Sequence, residues 1–223
     1  MTKIVDTFIA PNCTQDVDVL YQDADLLLIN KPSGLLSLSG KNPLNKDSVH
    51  FRLVQDFPTA ALVHRLDFGT SGVMVVALNK QSNVHLAKQF QMRSVKKTYV
   101  ALLSGHLAEE FGHIEQPIAK DPELFPKLKI CVADGKLAST KFEVMERATA
   151  PRSTRVRFTP LTGRTHQLRL HSEFIGHPIL GCDLYGTEHS LVAANRLMLH
   201  AETIEFEHPT SGKPLLGSCP APF

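Results

Sequence analysis

Asp67 lies in the stretch HRLDFGTSG, His64 to Gly72, between an arginine and a Gly-Thr-Ser-Gly turn and just ahead of the apolar run VMVVAL. A carboxylate in a loop held by a rigid strand can serve as acid, base or nucleophile. It can equally bond the N–H groups of its own turn, as aspartates often do, and from this segment alone the turn role is the stronger reading. Arg164 lies in LTGRTHQLRLH, Leu161 to His171, where a glycine turn leads into a helical pattern. An arginine there could clamp a carboxylate with two parallel hydrogen bonds, or contact a phosphate with no chemical role. Leu168 is four residues on and shares a helix face with Arg164 if the helix includes both. Tyr99, in KKTYVALLSG, has an apolar ring with a polar tip, suited to lie beneath a planar ligand or simply to half-fill a core.

Other chemistries lose ground on what these segments lack. His166 and His171 are five apart, poor spacing for two ligands on one helix, and the chain has no HExxH and no CxxC, so no metal site is expected. The sequence has no GxGxxG after a strand, no Walker A lysine loop and no GxSxG elbow, which argues against nucleotide cofactors and serine hydrolysis. The four cysteines, Cys13, Cys131, Cys182 and Cys219, are scattered and expected to be reduced. No apolar run approaches a membrane span and the first residues lack the pattern of a signal peptide, so a cytoplasmic location is expected.

The formal net charge is only +2, but its distribution is uneven. Between Phe68 and Ala108 the chain has no acid yet carries Lys80, Lys88, Arg93, Lys96 and Lys97. From Arg147 to Ser172 it again has no acid, and carries Arg147, Arg152, Arg155, Arg157, Arg164 and Arg169. Two such tracts would suit a phosphate-rich partner. They could also be solvated faces whose acidic partners come from other segments.

The elements that must position these groups follow from periodicity. DLLLIN (25–30) reads as a buried strand ended by the KPSG turn, and VMVVAL (73–78) as a central strand. Residues 81–93 follow a helical pattern with Val84, Leu86, Ala87 and Phe90 on the apolar side. Strands are expected at 98–104, 139–145 and 154–160, the last alternating Val156 and Phe158 with Arg155 and Arg157. A helix is expected over 165–175, ending at Gly176, and a last strand within 196–209. Strands outnumber helices and do not alternate with them, which predicts an α+β fold on a largely antiparallel sheet.

Taken together, NKPSGLLS, HRLDFGTSG, KKTYVALLSG, LTGRTHQLRLH and RLMLHA, in this order, resemble the RluA-type pseudouridine synthases. GHPILGCDLYG and HPTSGKPL also look like that family. The resemblance runs from about Asp16 to the C-terminus. It implies a single catalytic domain over 1–223, with a short extension at about 1–15 and no S4-like domain. The expected fold is α+β, a mostly antiparallel mixed sheet in two subdomains with flanking helices and a central cleft. It is most like the stand-alone type, which acts on uridines of large-subunit rRNA and tRNA anticodon loops.

The resemblance also implies roles. Asp67 matches the family's essential aspartate and Arg164 the arginine that pairs with it. Tyr99 matches the tyrosine that packs on the target base and is proposed to remove its C5 proton, and Leu168 an apolar residue lining the pocket. Arg65 matches the arginine that fills the space left when the uridine flips out. His64, Lys97 and Arg169, in the same motifs, are expected to contact RNA. The reaction breaks the C1′–N1 bond and joins C5 to C1′, so no cofactor or metal is expected. A carboxylate used as base or nucleophile must stay ionised, which a nearby guanidinium favours. Whether it attacks C1′, attacks C6 or takes a C2′ proton is left open. Flipping the nucleotide costs least in a single-stranded loop, where RNA sequence is also most readable. The expected partner is therefore an rRNA or tRNA stem-loop, and the expected state a monomer. The alternative is a non-catalytic RNA-binding protein or RNA chaperone on the same fold. A hydrolase using Asp67 on a phosphate is remote, since the flanking tracts supply no further carboxylates.

Overall fold

The computed structural model of the chain describes residues 8–223. In chain order its elements are β1 (Asp18–Gln22), β2 (Leu26–Lys31), α1 (Val49–Asp56), β3 (Ala61–Leu62), β4 (Ser71–Ala77), α2 (Lys80–Met92), β5 (Lys96–Ser104), β6 (Phe111–Glu115), β7 (Ile118–Lys120), β8 (Leu128–Ile130), β9 (Ser139–Thr149), β10 (Arg152–Pro160), α3 (Gln167–Phe174), α4 (Glu188–Val192), β11 (Leu199–Glu207) and β12 (Pro214–Ser218). The chain divides into two compact units. The first runs to Lys97 and is completed by Ala201–Pro222; the second is Thr98–His200 with Phe223.

In the first unit β2 and β4 form the centre. Every residue of β4 is buried, as are five of the six in β2. Burying side chains of this kind contributes about 1.5–3 kcal/mol each. β2 pairs antiparallel with β1 on one side and β4 on the other, β3 adds two residues to β4, and β12 pairs antiparallel with β11. Ser48 caps α1 by accepting the Phe51 N–H at 3.1 Å, and Asn79 caps α2 by accepting the Ser82 N–H at 2.9 Å. Such caps satisfy backbone donors that the helix leaves open.

The apolar side expected for α2 needs correction. Val84 is 61% exposed and Ala87 is exposed, and the buried residues are Ser82, Leu86 and Gln89. Ser82 is buried with its hydroxyl on Asp25, at 3.1 Å. Gln89 both donates to the Glu207 carbonyl, at 2.7 Å, and accepts the Glu207 N–H, at 2.9 Å. The inward face is thus shared by Leu86 and two satisfied polar groups.

In the second unit β10 pairs antiparallel with β5 and β9, and β6 pairs with the other edge of β9. β7 and β8 form a separate two-stranded hairpin. Val156 and Phe158 are fully buried while Arg155 and Arg157 alternate with them, as the sequence pattern predicts. The core gathers Leu103, Val156, Phe158, Leu170, Ile179 and Leu199, among others. The expected helix over 165–175 begins later, at Gln167. His166 takes a left-handed conformation, φ 54°, and so cannot belong to the first turn. Arg164 therefore lies in the loop ahead of α3 and shares no helix face with Leu168.

Candidate active site

The Asp67 loop is built by its neighbours in the first unit. β3 pairs with β4 for only two residues, Ala61 with Ala77 and Leu62 with Val76. Near the point where a third pair would form, the imidazole of His64 takes over, its Nε2 accepting the Val75 N–H at 3.1 Å. The backbone is thereby released from the sheet into the loop. The ring stacks on Phe90, with centroids 4.7 Å apart. Burial, aided by the nearby Lys97 charge, pushes the His64 pKa down to about 3, as an accepting ring nitrogen requires.

The loop then meets residues 31–37. Ser37 Oγ donates to the Leu66 carbonyl at 2.7 Å and accepts the Leu66 N–H at 3.2 Å. The Phe68 carbonyl accepts from the Gly34 N–H at 2.9 Å and from Nζ of the fully buried Lys31 at 3.2 Å. Ser33 Oγ donates to the Gly69 carbonyl at 2.6 Å, and the Thr70 N–H closes the turn on the Asp67 carbonyl at 3.1 Å. Asp67 is thus a half-buried residue whose two neighbours, Leu66 and Phe68, are both clamped. Arg65, just before the clamp, is exposed. NKPSGLLS is the cradle of this loop, a role that its composition alone does not reveal.

Of the other residues in this unit, Lys97 lies 5.8 Å from the Phe90 ring centroid, and burial lowers its pKa. Among the described residues no carboxylate pairs with it. His64, expected to contact RNA, is committed to Val75 and Phe90. Asp23, Asp25 and His208 bring potential ligand atoms within 4.8 Å of one another. The Asp23 oxygens, however, already accept from the Asp25 and Leu26 N–H groups, Tyr21 and His208, at 2.7–2.9 Å. Burial opposes ionisation of Asp23, but these bonds outweigh it and lower its pKa. The cluster is accounted for as a turn between β1 and β2.

The second unit holds Tyr99, Arg164, Leu168 and Arg169. Tyr99, the fourth residue of β5, stands opposite Phe158 and packs half-buried against the core, of which Leu168 is part at 6% exposure. Arg164 donates its Nε to the Leu137 carbonyl at 3.0 Å and its backbone N–H to Gln167 Oε1 at 3.0 Å. His166 Nδ1 and the Tyr185 hydroxyl share a hydrogen bond at 2.7 Å, and that hydroxyl also accepts the Leu128 N–H at 2.9 Å.

Arg169 departs from expectation. It is only 4% exposed, ion-paired with Asp183, with Nε on Cys182 Sγ at 3.4 Å and its guanidinium 5.2 Å from the Tyr185 ring centroid. A guanidinium enclosed in this way is not a surface contact for RNA phosphates. The basic tracts likewise gain acids from elsewhere. Arg147 pairs with Glu110 at 2.7 Å, Arg157 with Glu143 at 3.9 Å and Lys96 with Glu205 at 2.8 Å. Part of the apparent positive face is therefore neutralised.

A family model described as RNA pseudouridylate synthase matches residues 25–174, which include both loops. The chain belongs to this family. It is an RNA pseudouridine synthase, an isomerase of the α+β class. Its relatives include the dual-specificity RNA pseudouridine synthase RluA of Yersinia pestis, 49% identical over 92% of this chain and 99% of that one. The protein of the same name from Escherichia coli strain K12 is 45% identical over 92% of this chain and 93% of its own. Among solved structures, human RNA pseudouridylate synthase domain containing 1 superposes with a TM-score of 0.80 at 31% identity, covering 96% of this synthase and 86% of that chain. No described helix of the synthase is long and apolar enough to cross a membrane.

Proposed function

We propose that this pseudouridine synthase acts on uridines in structured RNA loops, in 23S rRNA, in a tRNA anticodon stem-loop or in both, with Asp67 as the essential carboxylate. The observation that carries the role of Asp67 is its clamped loop, in which the residues on either side are fixed by Ser37, Gly34 and Lys31. Catalysis rewards a group held in place before the substrate arrives. In the proposed reaction the uridine flips out, the C1′–N1 bond breaks, the uracil turns and C5 bonds to C1′. C5 then loses its proton, and N1 gains one. Asp67 initiates cleavage, Tyr99 takes the C5 proton, Leu168 lines the pocket and Arg65 fills the gap in the RNA. Lys97 and the exposed basic residues of the flanking tracts hold phosphates.

Arg164 is the first reading for the arginine that serves Asp67, from its place in TGRTHQLR. A second reading is favoured by one observation: Arg169 is enclosed and held by Asp183, Cys182 and Tyr185, so that its guanidinium is oriented in advance. Arg164→Met and Arg169→Met separate the two, since only the variant of the true partner loses turnover by orders of magnitude while still binding RNA.

The reading as a whole is tested by release of tritium from 5-tritiated uridine RNA. Asp67→Asn should bind the RNA and release none; full release by that variant overturns the assignment. The target is read by mapping pseudouridines in rRNA and tRNA of a deletion strain by carbodiimide and primer extension. Loss of sites in both RNAs, restored by the wild-type gene and not by Asp67→Asn, supports dual specificity. The proposal includes a cytoplasmic monomer, which sedimentation and cell fractionation check.

A further inference from the structure

The connection from β10 to α3 carries Arg164, the first turn of α3 carries Leu168 and Arg169, and the side chain of Gln167 bonds to both the connection and β9. Gln167 is 4% exposed, and every hydrogen-bonding position of its amide is filled. Oε1 accepts from the Thr162 hydroxyl at 2.7 Å and from the Arg164 backbone N–H at 3.0 Å. Nε2 donates to the Ser139 carbonyl at 3.0 Å and to Thr140 Oγ1 at 2.9 Å. The orientation of the amide is forced. The Arg164 N–H can only donate and the Ser139 carbonyl can only accept, so a flipped amide would clash with both.

The directions of the neighbouring bonds are forced as well. Thr162 Oγ1 accepts the Ser139 N–H at 2.9 Å, leaving its hydrogen for Gln167. The Gln116 carbonyl accepts from His171 Nε2 at 3.1 Å, so that nitrogen carries the hydrogen and Nδ1 is the acceptor in the neutral ring. The Thr140 hydroxyl then donates to His171 Nδ1, at 2.9 Å, while accepting from Gln167. Burial lowers the His171 pKa, with the Gln116 bond opposing in part, and so favours the neutral ring that the chain needs. One directed chain thus runs from the Gln116 carbonyl through His171, Thr140 and Gln167 to the backbone N–H of Arg164. It lies within the second unit, and the loop that it reaches starts where the backbone leaves the β9–β10 ladder at Pro160.

We infer that Gln167 is the positioning residue of this synthase, fixing through its amide the loop and first helical turn that carry Arg164, Leu168 and Arg169. It touches no substrate. Its effect is on turnover through the geometry of the segment, and the inference rests on the reading that an arginine of this segment serves Asp67. A side chain that fills four bonds in a buried site has no equivalent among the other amino acids. Glutamate, equal in shape, keeps the Oε1 acceptor but opposes the Ser139 carbonyl with a second oxygen unless that carboxyl is protonated.

The test is Gln167→Glu, assayed by tritium release with a stem-loop RNA under single turnover. A misplacement of catalytic groups by about 1 Å lowers the rate about 10²-fold, and a loss of that order at about pH 8 is expected, with RNA affinity and KM within about threefold of wild type. The ratio of variant to wild-type rate should climb as the pH is lowered to about 5.5, because the protonated carboxyl regains one donor. A wild-type rate at pH 8, a change confined to KM, or a ratio that does not move with pH overturns the inference. If Gln167→Glu fails to fold, Thr162→Val removes the hydroxyl that feeds Oε1. A reduced rate that Thr162→Ser restores supports the inference, and an unchanged rate overturns it. Full turnover by both Arg164→Met and Arg169→Met would instead show that the underlying arginine reading is wrong, whatever Gln167→Glu does.

Discussion

His64 accepts a backbone N–H and lies against Phe90, so the fold holds its ring neutral down to a pKa of about 3. An unfolded histidine titrates near ~6.5. Below that pH the unfolded chain takes up a proton that the folded chain does not, so this contribution is complete above about pH 6.5 and is lost as the pH falls toward 3. The loss approaches about 1.4 kcal/mol per pH unit, and His171, whose pKa is also lowered by burial, adds in the same direction. His64→Gln keeps an acceptor for Val75 and removes the titration. Thermal melts of this variant between pH 7 and 4.5 should therefore fall less steeply than those of wild type; parallel curves would mean that His64 is not the source. Arg169 gives a second prediction at this scale. Arg169→Lys keeps the charge but loses the planar fork that reaches Asp183, Cys182 and Tyr185 together. It should lower stability by about 1–3 kcal/mol in urea titrations, the cost of leaving a buried partner unsatisfied, whichever arginine serves Asp67, and an unchanged midpoint would argue against a structural role.

β4 shows what a pattern of residues can and cannot convey about an element. Its apolar run predicts a central strand, and the strand is there, fully buried. The glycine of TSG is also explained. Gly72 has φ +117°, and a Cβ on it would land on the Ala201 carbonyl oxygen of β11. Gly72→Ala should therefore fail to fold or lose several kcal/mol, because strain and a backbone clash act together; circular dichroism and a melt read the outcome, and a wild-type melt would refute it. Other elements are illegible in the sequence for physical reasons. β1 is exposed at all five positions, so no face imposes an alternation on DVLYQ. The inward face of α2 carries Ser82 and Gln89, whose partners, Asp25 and Glu207, lie 57 and 118 residues away in sequence. The start of α3 is hidden because the left-handed turn at His166 leaves no mark on an otherwise helical pattern. In the candidate site, HRLD announces itself by residue type, whereas Ser33, Ser37 and Gln167 do not, since a serine in a turn and a glutamine on a helix are ordinary until their partners are known.

Over the whole molecule, the two acid-free tracts do not add up to an unbroken positive surface. Acids from other segments, Glu110, Glu143 and Glu205, cancel part of it. α2 is different: it has no acid among its thirteen residues, and Lys80 and Lys88 are exposed along it. Reversing Lys88 to glutamate should weaken binding to stem-loops of any sequence by a similar factor. It should also flatten the dependence of log affinity on log salt by about 0.7–0.9 for each phosphate that the protein no longer neutralises. An unchanged slope would place the RNA elsewhere. The division of the chain has its own consequence, and it concerns synthesis. The unit that holds Asp67 takes its strands from the first 97 residues and then from Ala201 onward. On a ribosome adding about 5–20 residues per second, the strands of the second unit emerge complete while β4 still waits for Ala201 to cover Gly72. The loop bearing Asp67 is thus among the last parts of the nascent chain to gain its full support, and a polypeptide that stalls before β11 would leave the buried edge of β4 open to chaperones and proteases.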